Sequence, residues 1–249
     1  MRRFLKFAAA GLLTLLLVLG GLIYWTFGRM PPLIDGTVLG PAQLVKDGYV
    51  AVWMVDTSEG VLLVDAGNDP EAAAIRAELE RRGKVPGDVR HVLLTHGHPD
   101  HISGIPRFPN ATVYALQAEV ALVEGKVGAK GPLTQFFAPK DLGARVTRVV
   151  KDGETLEIGG HTIEVYAVPG HTAGSAAWML DGYLFLGDSG DSTTDGTIAD
   201  AVWPFTDDAA QNHASLVALS QRLQGREVKG AGFAHSGALT GGGALQTID

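Results

Sequence analysis

Residues 96 to 101 read His-Gly-His-Pro-Asp-His and follow the apolar run Val92-Leu93-Leu94-Thr95. Three imidazoles and a carboxylate within six residues bind zinc and similar divalent cations. Packing is a poor explanation for them, because clustered polar nitrogens in a core all need partners. Three further residues stand just past strand-like segments. His171 follows Val168-Pro169-Gly170, Asp188 follows Leu184-Phe185-Leu186-Gly187, and His235 follows Gly232-Phe233-Ala234. Metal and catalytic groups commonly sit on loops at one end of a sheet. Five of the eight histidines hold such positions; His91, His161 and His213 read as structural or surface residues.

The elements that must position these groups alternate along the chain. Tyr49 to Val55 and Val61 to Asp65 read as a hairpin across Asp56–Gly60. Pro70 to Arg82 reads as a helix ended by Gly83. Strands are expected at 91–95 and 111–115, and a helix at 117–124. In the second half, strands are expected at 146–150, 154–158, 162–168, 175–180, 183–186 and 228–234, with a helix over 207–223. This order predicts two packed sheets with helices outside, a layered α/β domain. Residues 125–142, with Phe136-Phe137 and Lys140, read equally as a cover over a site or as a surface insertion. Trp203 and Phe205 are further candidates to meet a substrate, with core packing as the plain alternative.

The chain has 249 residues, 46% of them hydrophobic, which suits one domain or at most two. The net charge of −7 argues against nucleic acid as a partner. There is no cysteine, so any metal must be held by nitrogen and oxygen. Arg2, Arg3 and Lys6 precede an uncharged apolar run of 21 residues, Phe7 to Phe27. As a helix it would measure about 31 Å, enough to cross a bilayer. The expectation is therefore a transmembrane anchor or uncleaved signal sequence over 1–29, a Pro-rich linker over 30–33, and a catalytic domain over 34–249. The basic flank predicts that domain to be periplasmic or extracellular; cleavage and secretion is the alternative.

Taken in order, His96-x-His98-x-Asp100-His101, His171, Asp188 and His235 resemble the metallo-β-lactamase superfamily. Asp65-Ala66-Gly67, Pro169-Gly170-His171-Thr172 and Gly187-Asp188-Ser189 resemble its recurring motifs, and the match spans about residues 34 to 240. The resemblance implies a four-layer αββα sandwich with a two-metal site. By motif position His96, His98 and His171 would hold the first ion. Asp100, His101 and His235 would hold the second, Asp188 would bridge both, and Asp65 would support the site without binding metal. Local geometry agrees: His96 and His98 point the same way in an extended segment, and Pro99 can start a turn that swings Asp100 and His101 toward a second ion. Two ions sharing a water would give hydroxide near neutral pH, with Asp100 as a proton acceptor. Zinc is the first choice, iron or manganese the alternatives.

Among branches of the family, the one with a Cys ligand is excluded by the Cys-free chain. The branch with only His and Asp ligands normally lacks the bridging aspartate. The full set resembles glyoxalase II, lactonases and phosphodiesterase members. With 14 residues after His235, the C-terminal helical domain of glyoxalase II is not expected. The expected function is a membrane-anchored binuclear hydrolase of a small ester, thioester or lactone. The alternatives are a β-lactam or phosphodiester hydrolase, a single-iron persulfide dioxygenase, and a non-catalytic metal-binding protein.

Overall fold

The computed structural model describes residues 14, 16–18, 20, 21, 24 and 28–241. Seven strands form one mixed sheet in the order β1 (Val38–Leu39), β2 (Ala42–Asp47), β3 (Val50–Thr57), β4 (Gly60–Val64), β5 (Val89–Leu93), β6 (Thr112–Leu116) and β7 (Arg148–Val150). The first four pair antiparallel, and β4 to β7 run parallel. The second sheet uses β8 (Thr155–Ile158), β9 (His161–Ala167), β10 (Ala176–Leu180), β11 (Tyr183–Phe185), β14 (Gly230–Gly232) and β15 (Leu239–Thr240). A separate hairpin joins β12 (Gly190–Ser192) to β13 (Ile198–Asp200).

Side-chain alternation along the strands divides the interior into three layers. On β3, Ala51, Trp53 and Val55 meet Trp178, Leu180 and Phe185 of the second sheet, in the core between the sheets. The alternate residues Val52 and Met54 face outward and pack with Ile75 and Leu79 of α1 (Ala73–Arg81). On the far side, Ala177, Met179 and Leu184 pack with Leu216 and Leu219 of α4 (Ala209–Arg222) and with Leu223 just past its end. Two short helical turns, α2 (Pro99–Ile102) and α3 (Val120–Val123), lie beside the ligand loops. Trp178 ties the layers to the site, because its indole Nε1–H donates to Leu94 O at 3.0 Å.

The helix predicted from Pro70 starts later, at Ala73, because Asp69 intercepts the preceding backbone: its carboxylate accepts from Glu71 N and Ala73 N. α4 is capped by Asp208, whose side chain accepts from Gln211 N at 2.9 Å. Asn212 on α4 holds the segment after Asp188: Ala201 N–H donates to its Oδ1 and its Nδ2–H donates to Ser189 O. We expect Asn212→Ala to lower stability by about 2 kcal/mol, since both backbone partners are left buried and unpaired. Urea unfolding checks this, and an unchanged midpoint would contradict it.

The expected membrane span requires correction. Among the described residues, no helix is long and apolar enough to cross a membrane. Within the apolar run, the described residues Thr14, Leu16, Leu17, Val18, Gly20, Gly21 and Tyr24 are helical. The rest of the Phe7–Phe27 run lies outside the described residues. Two backbone hydrogen bonds hold the segment at 29–31 against the domain: Thr194 N–H donates to Arg29 O and Gly237 N–H to Pro31 O, at 2.8 and 3.0 Å.

Candidate metal centre

Six of the loops that carry polar groups leave the C-terminal ends of strands. Asp65 follows β4, His96 follows β5 and Glu119 follows β6, three strands that run parallel. In the second sheet β9 and β11 both run antiparallel to β10, and β14 runs parallel to β11. His171, Asp188 and His235 therefore also emerge on one edge. The crevice beyond carboxyl strand ends is where open α/β sheets bind ligands.

The sequence-predicted residues meet there in two groups. His96, His98, His171 and Asp188 offer donor atoms within 4.8 Å of one another, as do Asp100, His101 and His235. His171 Nε2 lies 3.2 Å from His96 Nε2 and 3.1 Å from His98 Nδ1. Nitrogens about 2.0–2.1 Å from a tetrahedral zinc would sit ~3.4 Å apart, so this spacing suits an ion at their centre. Asp188 faces both groups. Its Oδ2 is 3.6 Å from His171 Nε2 and 3.1 Å from His235 Nε2, and its Oδ1 is 3.3 Å from His101 Nε2. Asp100 Oδ2 lies 3.4 Å from His235 Nε2.

Hydrogen bonds on the outer side of the rings decide which nitrogen faces inward. Thr95 Oγ1 gives its proton to Asp65 Oδ2, so at 3.1 Å it accepts from His96 Nδ1–H. Thr206 Oγ1 gives its proton to Val202 O, so at 3.2 Å it accepts from His171 Nδ1–H. His235 Nδ1–H donates to Tyr49 O at 3.0 Å, and His101 Nδ1–H to Asp65 Oδ2 at 2.8 Å. Four Nε2 atoms are thereby aimed into the crevice by oxygen partners behind them, the arrangement that fixes metal-ligating imidazoles. His98 differs and faces inward through Nδ1. Among the described residues, His98 Nε2, His101 Nε2 and Asp188 Oδ1 are buried without a hydrogen-bond partner. His98 Nε2 is the outer nitrogen of its ring, but His101 Nε2 and Asp188 Oδ1 face each other across 3.3 Å of the crevice and call for a partner between them, and the donor set fits a divalent cation.

The electrostatics split the same way. Burial, then neighbouring imidazoles, hold His96 and His171 neutral, His171 down to about 3. Burial lowers His98 as well, against the nearby Asp188 carboxylate. Burial also opposes charge on His101 and His235, but the Asp188 and Asp100 carboxylates outweigh it and raise both. Burial favours protonation of Asp188, yet His235 and His101 draw it well below the usual carboxylate range.

Asp65 stands behind the site rather than in it. It adopts a left-handed backbone (φ 62), which aims its carboxylate at Thr95 N, Thr95 Oγ1 and His101 Nδ1. Gly187, at φ 55, lies so close to Thr95 that a Cβ would strike it, which explains a glycine directly before Asp188. His91, His161 and His213 lie apart from the cluster, paired with Glu59, Asp181 and Asp200.

Sequence reasoning missed Glu119, which is 1% exposed. Its Oε1 accepts from Gly97 N–H at 2.6 Å and its Oε2 from Gly174 N–H at 2.8 Å, while Thr172 Oγ1 lies 2.9 Å from each. One carboxylate thus staples the loop of His96 and His98 to the loop of His171. Burial pushes Glu119 up to about 7 against the pull of these donors. Both oxygens face a backbone N–H, so a glutamine must turn an NH2 toward one of them. We expect Glu119→Gln to weaken zinc binding about tenfold, within the range for residues supporting ligands. Competition with a chromophoric chelator measures this; parental affinity would contradict it. Asp191 was also missed. It lines the cavity and accepts from Ser236 Oγ, and burial beside the Asp188 charge raises it to about 7.

Comparison with known proteins adds to the geometry. The family model of the metallo-beta-lactamase superfamily matches residues 45–225. Hydroxyacylglutathione hydrolase of Klebsiella pneumoniae subsp. pneumoniae is 33% identical over 149 residues, 58% of this chain and 47% of that protein. The Rhodobacter capsulatus protein of the same name is 33% identical over 154 residues, 61% of this chain and 51% of that one. The chain spans about half the length of these curated relatives. Among solved structures, a B3 metallo-beta-lactamase with an active-site glutamic acid is 27% identical, with a TM-score of 0.68 over 88% of this chain and 87% of that chain. A metallo-beta-lactamase family protein from Thermus thermophilus, 24% identical with a TM-score of 0.62 over 85% of this chain and 78% of that chain, shares the fold. With the family model covering residues 45–225, the chain belongs to the metallo-beta-lactamase superfamily.

Proposed function

We propose that the chain hydrolyses small thioesters, esters or lactones, using two divalent ions, zinc by donor type. The observation that carries this reading is the Asp188 carboxylate, one oxygen toward His101 and the other toward His171 and His235. His96, His98 and His171 would hold one ion, Asp100, His101 and His235 the other, and Asp188 would serve both. Such a pair supplies positive charge for a carbonyl oxygen and makes a nearby water acidic enough to attack near neutral pH. A seven-donor set without cysteine suits an open catalytic pair better than a closed structural site.

The chain's own groups supply the rest. The Asp100 carboxylate, its Oδ2 3.4 Å from His235 Nε2, lines the cavity and is placed to accept a proton from the attacking water. Asp65, Thr95, Thr206 and Glu119 fix rings and loops before substrate arrives, and that preorganisation lowers the cost of reaching the transition state. The relatives named hydroxyacylglutathione hydrolase favour the thioester within this class. The likeness to a B3 metallo-beta-lactamase supports β-lactam hydrolysis as a second reading.

A substrate panel on the zinc-loaded full chain tests the proposal. Acyl thioesters, esters and lactones should exceed β-lactams and phosphodiesters in kcat/KM by about 100-fold, ~2.7 kcal/mol of differential transition-state binding. Faster β-lactam turnover, or none on any ester-class substrate, would contradict it.

A further inference from the structure

Five of the clustered donors, His98, Asp100, His171, Asp188 and His235, line a cavity of about 590 Å3, a volume typical of small-molecule sites. The other walls include Leu122, Val127, Phe137, Leu142, Val202 and Phe205. Val127, Phe137, Val202 and Phe205 belong to none of the three cores, so packing does not account for them. Phe137 is 71% exposed, Val127 46% and Phe205 38%, and each turns apolar surface to the cavity. Clustered exposed apolar groups beside polar ones mark binding surfaces.

The two wall segments are braced against each other. Leu133 N–H donates to Pro204 O at 2.8 Å, and Lys130 N–H to the Asp207 carboxylate at 2.6 Å. Asp207 N–H in turn donates to His171 O, so the apolar wall is tied to the ligand loop. Among the described lining residues Lys140 is the only lysine or arginine. A thiol carrier with several charged groups would find few partners on these walls, and desolvating its charges would be costly.

We infer that this cavity takes an uncharged alkyl or aryl arm of several carbons, carried by the substrate on the acyl side of the scissile bond. The inference rests on the hydrolase reading above and names its substrate class. It sets the chain apart from one that reads a short, polar hydroxyacyl group.

Two measurements on the zinc-loaded full chain test it separately from that reading. Calorimetry with straight-chain carboxylates from acetate to octanoate reads the cavity directly, with the carboxylate at the donor end. Affinity should rise roughly fourfold per methylene, the gain from burying one such group. The Phe137→Ser, Phe205→Ser double variant, altered only at exposed side chains, should lose most of that rise. The second measurement is kcat/KM for acyl thioesters of the same lengths on one small thiol, where the same rise is expected. A flat affinity series, or an undiminished rise in the double variant, would overturn the inference while leaving hydrolysis intact. A rising affinity series with no turnover of any thioester, ester or lactone would overturn the hydrolase reading, and with it the assignment of the arm to an acyl group.

Discussion

Asp188→Ala is expected to lower kcat/KM for thioester hydrolysis by about 1,000-fold and to reduce bound zinc below two ions per chain. One carboxylate lies within 4.0 Å of His96, His101, His171 and His235, so its removal strips negative charge from both groups at once. Metal-supplied charge contributes several kcal/mol at a transition state, and ~1.4 kcal/mol is a factor of ten. The fold should persist, because Asp188 contributes to no apolar core. Turnover and zinc content of a variant with parental circular dichroism check this together. Parental kcat/KM, or full zinc occupancy with lost activity, would contradict the bridging role.

The second large effect is expected one layer behind the donors. Asp65→Ala removes the acceptor for Thr95 N–H, Thr95 Oγ1–H and His101 Nδ1–H, all buried. Orphaned groups cost ~1–3 kcal/mol each, so stability should fall by about 3 kcal/mol or more. Alanine also tolerates the left-handed backbone at φ 62 poorly, which adds to the loss. Asp65→Asn separates the effects, since asparagine accepts this backbone and keeps one oxygen for Thr95. It should stay folded but weaken zinc binding about 10- to 100-fold, because the amide cannot hold His101 as the carboxylate does. Denaturant unfolding of the metal-free protein and a zinc competition titration distinguish the two variants. Equal zinc affinity in Asp65→Asn and parent would contradict the positioning role.

The seven donors could be picked out because His96, His171, Asp188 and His235 each stand shortly after an apolar strand-like run, with His98, Asp100 and His101 within five residues of His96. The structure gathers their side chains into two neighbouring groups. Glu119 shows where local patterns end. It lies in the unremarkable run Gln117-Ala118-Glu119-Val120, and its partners are 22, 53 and 55 residues away. Only the approach of two distant loops gives it a task. That inward turn also divides the predicted 117–124 helix into a tight three-residue turn and the single turn α3.

Other differences have similar causes. Strands β1 and β15 are two residues each, and β12 and β13 three, too short to carry an alternating pattern. β1 and β15 form the edges of their sheets, and β12 and β13 pair with each other. The 125–142 segment offered two equal readings, and the structure sets Val127, Phe137 and Leu142 along the cavity while leaving Phe136 79% exposed. The expected membrane span rested on hydropathy alone, and among the described residues no helix is long and apolar enough to cross a membrane.

The most direct measurement is the initial rate of hydrolysis of a small acyl thioester as the metal-free full chain is titrated with zinc. With His96, His98 and His171 around one ion, Asp100, His101 and His235 around another, and Asp188 between them, turnover should be absent without zinc. It should reach its plateau at two equivalents per chain. Turnover in the metal-free protein, no turnover at any zinc level, or a plateau at one equivalent would contradict a shared two-ion centre.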